Sequence, residues 1–135
     1  MSARSKARKK ALDILFEADV REAPVADALA DYARRREADG QPALNPFTVE
    51  IVQGILDHWY EIDDVIMANS IDWPIERMPR VDRNLLRIGI FELLWSDDVP
   101  DKVAVAESVG LAREYSTDES PKFVNGVLAQ VMAGK

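Results

Sequence analysis

Apolar residues recur along this chain at helical spacing, and nowhere do they alternate with polar ones over the length of a strand. Ala7, Ala11, Ile14, Leu15 and Ala18 make one stripe of a first helix spanning about 3–20, with Ser2 placed to cap it. Pro24 opens a second, short helix carrying Val25, Leu29 and Ala33, and Asp39-Gly40-Gln41-Pro42 reads as a loop. Asn45-Pro46 is a cap followed by proline at the first helical position. From there Phe47, Ile51, Ile55 and Trp59 repeat every four residues, and helix continues, with room for a break, through Ile62, Val65 and Ile66 to about Ser70.

Trp73-Pro74 to Met78-Pro79 reads as a linker between two halves, about 1–72 and 79–135. The helix predicted over about 81–96 is apolar nearly all round its axis, which places it at the centre of a bundle. Arg87 on that helix then needs a carboxylate, for which Glu92 and Glu107 are the candidates. A helix over about 102–115 shows Val105, Val109 and Ala112 on one face. Ser120-Pro121 starts a last helix whose stripe is Val124, Val127, Leu128 and Val131. Gly89 and Gly126 lower helix propensity, and close helix–helix approach is the expected compensation. The fold class is therefore all-α, with about seven helices in two small bundles.

Charge changes the picture. The net charge of the 135-residue chain is −7, yet residues 1–10 carry Arg4, Lys6, Arg8, Lys9 and Lys10 and no acid. A basic arm on an acidic body suits a polyanion at one place and a basic protein at another, although a solvated tag is the plainer account. Phe16 lies off the first helix's stripe, on the side of Lys9, where it either stacks a base or packs on a neighbouring helix. Phe123 lies about a quarter turn from the last helix's stripe, with Lys122 nearly opposite that stripe. Ser120 offers a hydroxyl at a helix start to a phosphate, or simply caps the helix. Tyr115 is a third ring for stacking or for packing.

Most catalytic chemistry is excluded. There is no cysteine and one histidine, His58, which removes thiolate metal sites, iron–sulfur clusters and cysteine nucleophiles. No serine or cysteine pairs credibly with His58, and no phosphate loop or dinucleotide fingerprint is present. Asp63-Asp64 and Asp97-Asp98 are neighbours that do not face each other on a helix, so no metal or other cofactor is expected. Asp13 and Glu17 interrupt what would be the apolar part of a signal peptide, and no apolar run reaches membrane length, so the expectation is a cytoplasmic protein without membrane contact.

Three stretches go further. Pro79-Arg80-Val81-Asp82-Arg83-Asn84-Leu85-Leu86-Arg87-Ile88-Gly89-Ile90-Phe91-Glu92-Leu93-Leu94, then Val99-Pro100-Asp101-Lys102-Val103-Ala104-Val105-Ala106-Glu107, then Ser120-Pro121-Lys122-Phe123-Val124-Asn125-Gly126-Val127-Leu128, closely resemble the NusB family of bacterial transcription antitermination factors. Ala7-Arg8 to Leu15-Phe16 is similar to that family's arginine-rich first helix, with Ser5 as a departure. The resemblance implies an all-α fold of two helical subdomains and no enzymatic activity. It implies binding to single-stranded boxA RNA of ribosomal RNA leader transcripts, together with NusE, a ribosomal protein that doubles as a transcription factor. The complex would join RNA polymerase and other Nus factors and suppress premature termination.

Carried onto this chain, the resemblance assigns Arg4, Lys6, Arg8 and Lys9 to phosphates. It makes Phe16, Tyr115 and Phe123 stacking or edge contacts to bases with Ser120 and Lys122 beside them, and it puts Asp82 and Glu119 near the NusE surface or its junction with RNA. Some relatives form homodimers, so monomer and homodimer both stay open. Two rivals are a helical protein-interaction module without RNA affinity and an RNA cytosine methyltransferase carrying a NusB-like front domain. The second needs a cysteine that is absent, and no cofactor-binding domain is expected after residue 135.

Overall fold

A computed structural model describes all 135 residues. It contains seven α-helices, one turn of 3-10 helix and no strand. The helices fall into two compact units, Met1–Asp57 and His58–Lys135.

The first unit holds α1 (Ala3–Arg21), α2 (Val25–Ala38) and α3 (Pro46–Asp57), each packed on the other two. Ser2 caps α1 as its sequence predicts, its hydroxyl accepting from the Ser5 N–H at 3.0 Å. The predicted stripe of Ala7, Ala11, Ile14, Leu15 and Ala18 is buried, and Leu12 joins it. Helix α2 is not short: it runs 14 residues. Its buried face is Ala28 and Leu29 rather than a line through Ala33, which is exposed. It ends in a Schellman motif, with the Gln41 N–H on the Arg36 carbonyl and the Gly40 N–H on that of Glu37. Gly40 sits at φ 70°, the left-handed position that glycine adopts without a Cβ clash. Helix α3 begins where Asn45-Pro46 predicts, with Asn45 Oδ1 accepting from the Phe47 N–H at 2.8 Å. Thr48 ties α3 to α1 by donating to the Ala7 carbonyl at 3.0 Å.

The second unit holds α4 (Trp59–Asn69), the 3-10 turn Ile75–Arg77, α5 (Arg80–Trp95), α6 (Asp101–Tyr115) and α7 (Ser120–Ala133). The predicted break in the 46–70 helix falls at His58 (φ −120°, ψ 25°). The compact units divide here, before the 73–79 stretch that reads as a linker, because α4 packs on α5 and α7. Helix α5 is the centre of the second unit, with Leu85, Leu86, Ile88 and Ile90 fully buried.

The expectations for the two helical glycines, Gly89 on α5 and Gly126 on α7, resolve differently. Gly89 does mark a close approach: a Cβ there would stand 2.7 Å from Leu128 Cδ1. Gly126 does not, since nothing lies within 4 Å of its Cβ position and the residue is exposed. Arg87 pairs with neither Glu92 nor Glu107. Its Nε and Nη2 donate to the two carboxylate oxygens of Asp63 at 3.0 and 3.2 Å, and Nη1 donates to Asn84 Oδ1 at 2.8 Å. The guanidinium also lies 4.3 Å above the Trp59 ring. The reason is the early break: it starts α4 as a helix packed on α5, so Asp63 and Trp59 reach Arg87 first.

Candidate nucleic-acid interface

The basic first helix does not present all its cations alike. Arg4 is exposed and lies 4.4 Å over the Phe47 ring. Arg8 is 2% exposed, 5.1 Å from the same ring centre, and so is corrected from a phosphate contact to a buried structural residue. A guanidinium at that depth cannot reach a polyanion without leaving its place. Lys9 is ion-paired with Asp13 at 2.6 Å, one turn along α1, and its charge is largely answered. Lys6 is exposed and carries no ion pair. Phe16 is 40% exposed, so it does not pack fully into any helix interface.

In the second unit the start of α7 and the segment after α4 enclose a groove of about 750 Å³. Glu119, Lys122 and Phe123 line it together with Ile71, Trp73 and Gly126. The Phe123 and Trp73 rings meet edge to face at 4.7 Å. Edge-to-face contact is a favoured arrangement of two rings, and both rings line the groove. Lys122 is exposed and has no carboxylate partner, and Ile71 is 85% exposed. Of the candidate residues on this unit, the groove brings together Glu119, Lys122 and Phe123. Tyr115 stands apart from it at the end of α6, 42% exposed.

Ser120 and Asp82 are corrected. Ser120 is 1% exposed, and its hydroxyl donates to Ser116 Oγ at 2.9 Å while accepting from the Thr117 N–H at 3.2 Å. Ser116 in turn donates to Asp82 Oδ1. Asp82 is itself 1% exposed, so it offers no carboxylate to a protein partner. These groups form a buried chain that fixes the α6–α7 turn against the start of α5. Burial took both residues away because helix starts that abut one another exclude solvent, which neither spacing nor side-chain type reveals.

Trp73 is the residue the sequence reading missed. It sits before a proline in an irregular segment, and helical periodicity carries no information there. His58 stacks face to face on Trp95 at 4.0 Å, with Nδ1 3.1 Å from Glu61, an arrangement without a nucleophile. No three carboxylates or imidazoles converge on a metal position. No helix is long and apolar enough to cross a membrane.

Comparison with known proteins agrees with this architecture. The NusB family model matches residues 5–133. The chain is 52% identical, over 96% of its length and 92% of the relative's, to a transcription antitermination protein NusB of Streptomyces griseus. It is 53% identical, over 97% of its length and 93% of the relative's, to the same protein of Pseudarthrobacter chlorophenolicus. Its fold matches, with TM-score 0.83 and 26% identity over 100% of this chain and 99% of the other, a crystal structure of antitermination factors NusB and NusE in complex with dsRNA. The chain belongs to the NusB family, whose members are transcription antitermination proteins and not enzymes.

Proposed function

We propose that this protein binds RNA together with NusE and acts in transcription antitermination, with the boxA element of ribosomal RNA leaders as its target and RNA polymerase with other Nus factors as the wider assembly. The observation that carries the reading is the full-length likeness to a NusB seen with NusE and RNA. The site chemistry supports it. An exposed lysine stands beside an aromatic pair in an open groove, which suits an unpaired base and its phosphate.

The second unit has eight basic against fourteen acidic side chains, which favours a basic protein on this unit, and Glu119 is an exposed part of that field. The RNA-contact set is Arg4, Lys6, Phe16, Tyr115, Lys122 and Phe123.

Fluorescence anisotropy tests the reading, using labelled single-stranded boxA RNA, a scrambled strand and a duplex, each with and without NusE. Preferential binding of the single boxA strand, tightened by NusE, is the expected result. Equal binding of all three RNAs would remove the boxA assignment. Binding of NusE without any RNA affinity would leave a protein-interaction module. Phe123→Ala is expected to weaken single-strand binding by about 1–3 kcal/mol, the range for loss of a stacked ring. The circular dichroism melt, run alongside, shows whether the fold is kept.

A further inference from the structure

We infer that Thr117 is a phosphorylation site, and that a phosphoryl group there is held by Arg113, Lys122 and Asn125 and withdraws Lys122 from RNA. Thr117 lies in the turn between α6 and α7, where residues 116–119 carry no helix, and it is exposed. It lines a polar groove of about 590 Å³ together with Arg113, Asp118, Lys122 and Asn125.

Three hydroxyls belong to this turn, and only that of Thr117 is on an exposed residue. Ser116 donates its proton to Asp82, and Ser120 donates its proton to Ser116. In the 2.7 Å contact between Thr117 Oγ1 and Ser120 Oγ the threonine is therefore the donor. Thr117 is thus the outer end of a hydrogen-bond chain anchored on a buried carboxylate. Esterifying its hydroxyl removes the outermost donor alone. Ser120, Ser116 and Asp82 stay joined, and the Thr117 N–H still donates to Ser120 Oγ. The turn accepts the modification without losing what fixes it.

The cations point to a dianion. The second unit has eight basic against fourteen acidic side chains, yet Arg113 and Lys122 share this groove and neither is in an ion pair. Asp118 lines the groove too and pairs with neither of them. A phosphothreonine carries about −1.5 to −2 charges and three acceptor oxygens, and cations beside it form charge-assisted hydrogen bonds. Arg113 offers a planar set of N–H groups, Lys122 a point charge and Asn125 an amide donor.

The phosphoryl donor is a nucleoside triphosphate brought by a protein kinase. Thr117 Oγ1 bonds to the γ-phosphorus while the bond from that phosphorus to the bridging oxygen breaks. The nucleoside diphosphate leaves with that electron pair, and the hydroxyl proton goes to the kinase's catalytic carboxylate. Lys122 lines both this groove and the aromatic groove of Trp73 and Phe123. One ammonium cannot neutralise a phosphothreonine and an RNA phosphate together, so the modification weakens RNA binding. That consequence rests on the function proposed above. The phosphorylation site does not.

Three measurements on the full-length protein test this. In the first, protein isolated from its own cells, growing and starved, is cut with trypsin and peptide 114–122 is sequenced by tandem mass spectrometry. One phosphoryl group on Thr117 is expected in at least one condition. A peptide without it in both, or with the group on Ser116 or Ser120 instead, overturns the site. In the second, phosphothreonine is incorporated at position 117 and phosphorus NMR follows its second ionisation. Neighbouring cations favour the dianion, so the transition is expected at lower pH than in a free phosphothreonine peptide, and closer to it in Arg113→Gln and Lys122→Gln. A transition equal to that of the free peptide overturns the cationic cradle.

In the third, single-stranded RNA affinity is compared with and without the phosphoryl group. The modified protein is expected to bind roughly fivefold more weakly near 0.1 M salt, with a log–log slope flatter by about 0.7, the loss of one phosphate contact. In Lys122→Gln the phosphoryl group is expected to change nothing further. Unmodified protein that binds RNA as tightly as modified protein overturns the regulatory link and leaves the proposed function standing. If neither form binds RNA while the first two measurements come out as expected, the proposed function fails and the phosphorylation site stands.

Discussion

Lys6 and Arg8 stand two residues apart on α1, yet one reaches solvent and the other is 2% exposed. A guanidinium buried against an aromatic ring contributes packing as well as charge, so its removal is felt by the fold first. Arg8→Ala is expected to destabilise the protein by about 2–4 kcal/mol, within the range for emptying a large buried position. It should also leave the salt dependence of RNA binding unchanged under conditions where the variant is folded. Urea denaturation and the anisotropy salt series read the two effects separately. A stable variant with a flattened salt slope would return Arg8 to the phosphate surface. Glu22 makes a smaller, opposite case. It holds φ 53° at the end of α1, where the Ala23 N–H closes on the Ala18 carbonyl. A Cβ is strained there and the side chain is exposed, so Glu22→Gly is expected to stabilise by about 0.5–1 kcal/mol, seen as a higher melting temperature.

Between helices, the same substitution has opposite signs at two glycines. Gly89→Ala gains helix propensity but puts a methyl 2.7 Å from Cδ1 and 2.9 Å from Cδ2 of Leu128, a fully buried side chain that must shift within the core to admit it. Overpacking costs about 1–3 kcal/mol and is expected to outweigh the propensity gain. Gly126→Ala meets nothing and is expected to stabilise by up to about 1 kcal/mol, while narrowing the groove beside Phe123. Thermal melts of the two variants should move in opposite directions. Asp63→Ala strips the carboxylate from Arg87, which is 7% exposed; because Asp63 itself is 21% exposed, about 2–3 kcal/mol is expected rather than the full cost for a wholly buried pair.

Helix-to-helix partners of this kind are where the sequence falls silent. Periodicity and proline punctuation place all seven helices, with α2 longer than its stripe suggests, and Asn45-Pro46 and Ser2 mark starts that the structure shows, because caps and stripes are local. Asp63 could not be matched to Arg87, nor Ser120 to Ser116 and Asp82, because those pairings depend on which elements abut. In the site, Phe123 and Lys122 stood out by missing the stripe. Trp73 did not, since it lies in irregular chain where no stripe exists to miss.

Across the whole chain the question is how an acidic protein engages a polyanion at all. The mean field of −7 opposes approach, so binding must come from local fields that exceed it, and these are concentrated where cations lack carboxylate partners. The first unit has nine basic and ten acidic side chains, nearly balanced; Asp31, Glu17 and Asp13 pair with Arg34, Arg35 and Lys9, while Lys6, Lys10 and Arg36 have no carboxylate partner. The second unit is strongly acidic and offers Lys122 locally. The three cations of the RNA-contact set, Arg4, Lys6 and Lys122, each neutralising one phosphate, predict a log–log salt slope near −2.1 for a single strand, using about −0.7 per contact. Between 50 and 200 mM salt that is roughly a twentyfold loss of affinity. A slope near zero would mean that stacking alone holds the RNA. A slope much steeper than −2.1 would mean that paired cations such as Lys9 release their carboxylates to bind. Adding NusE is expected to raise affinity without flattening this slope, because a basic protein on the acidic unit reduces the repulsion felt by RNA while leaving the same phosphates neutralised.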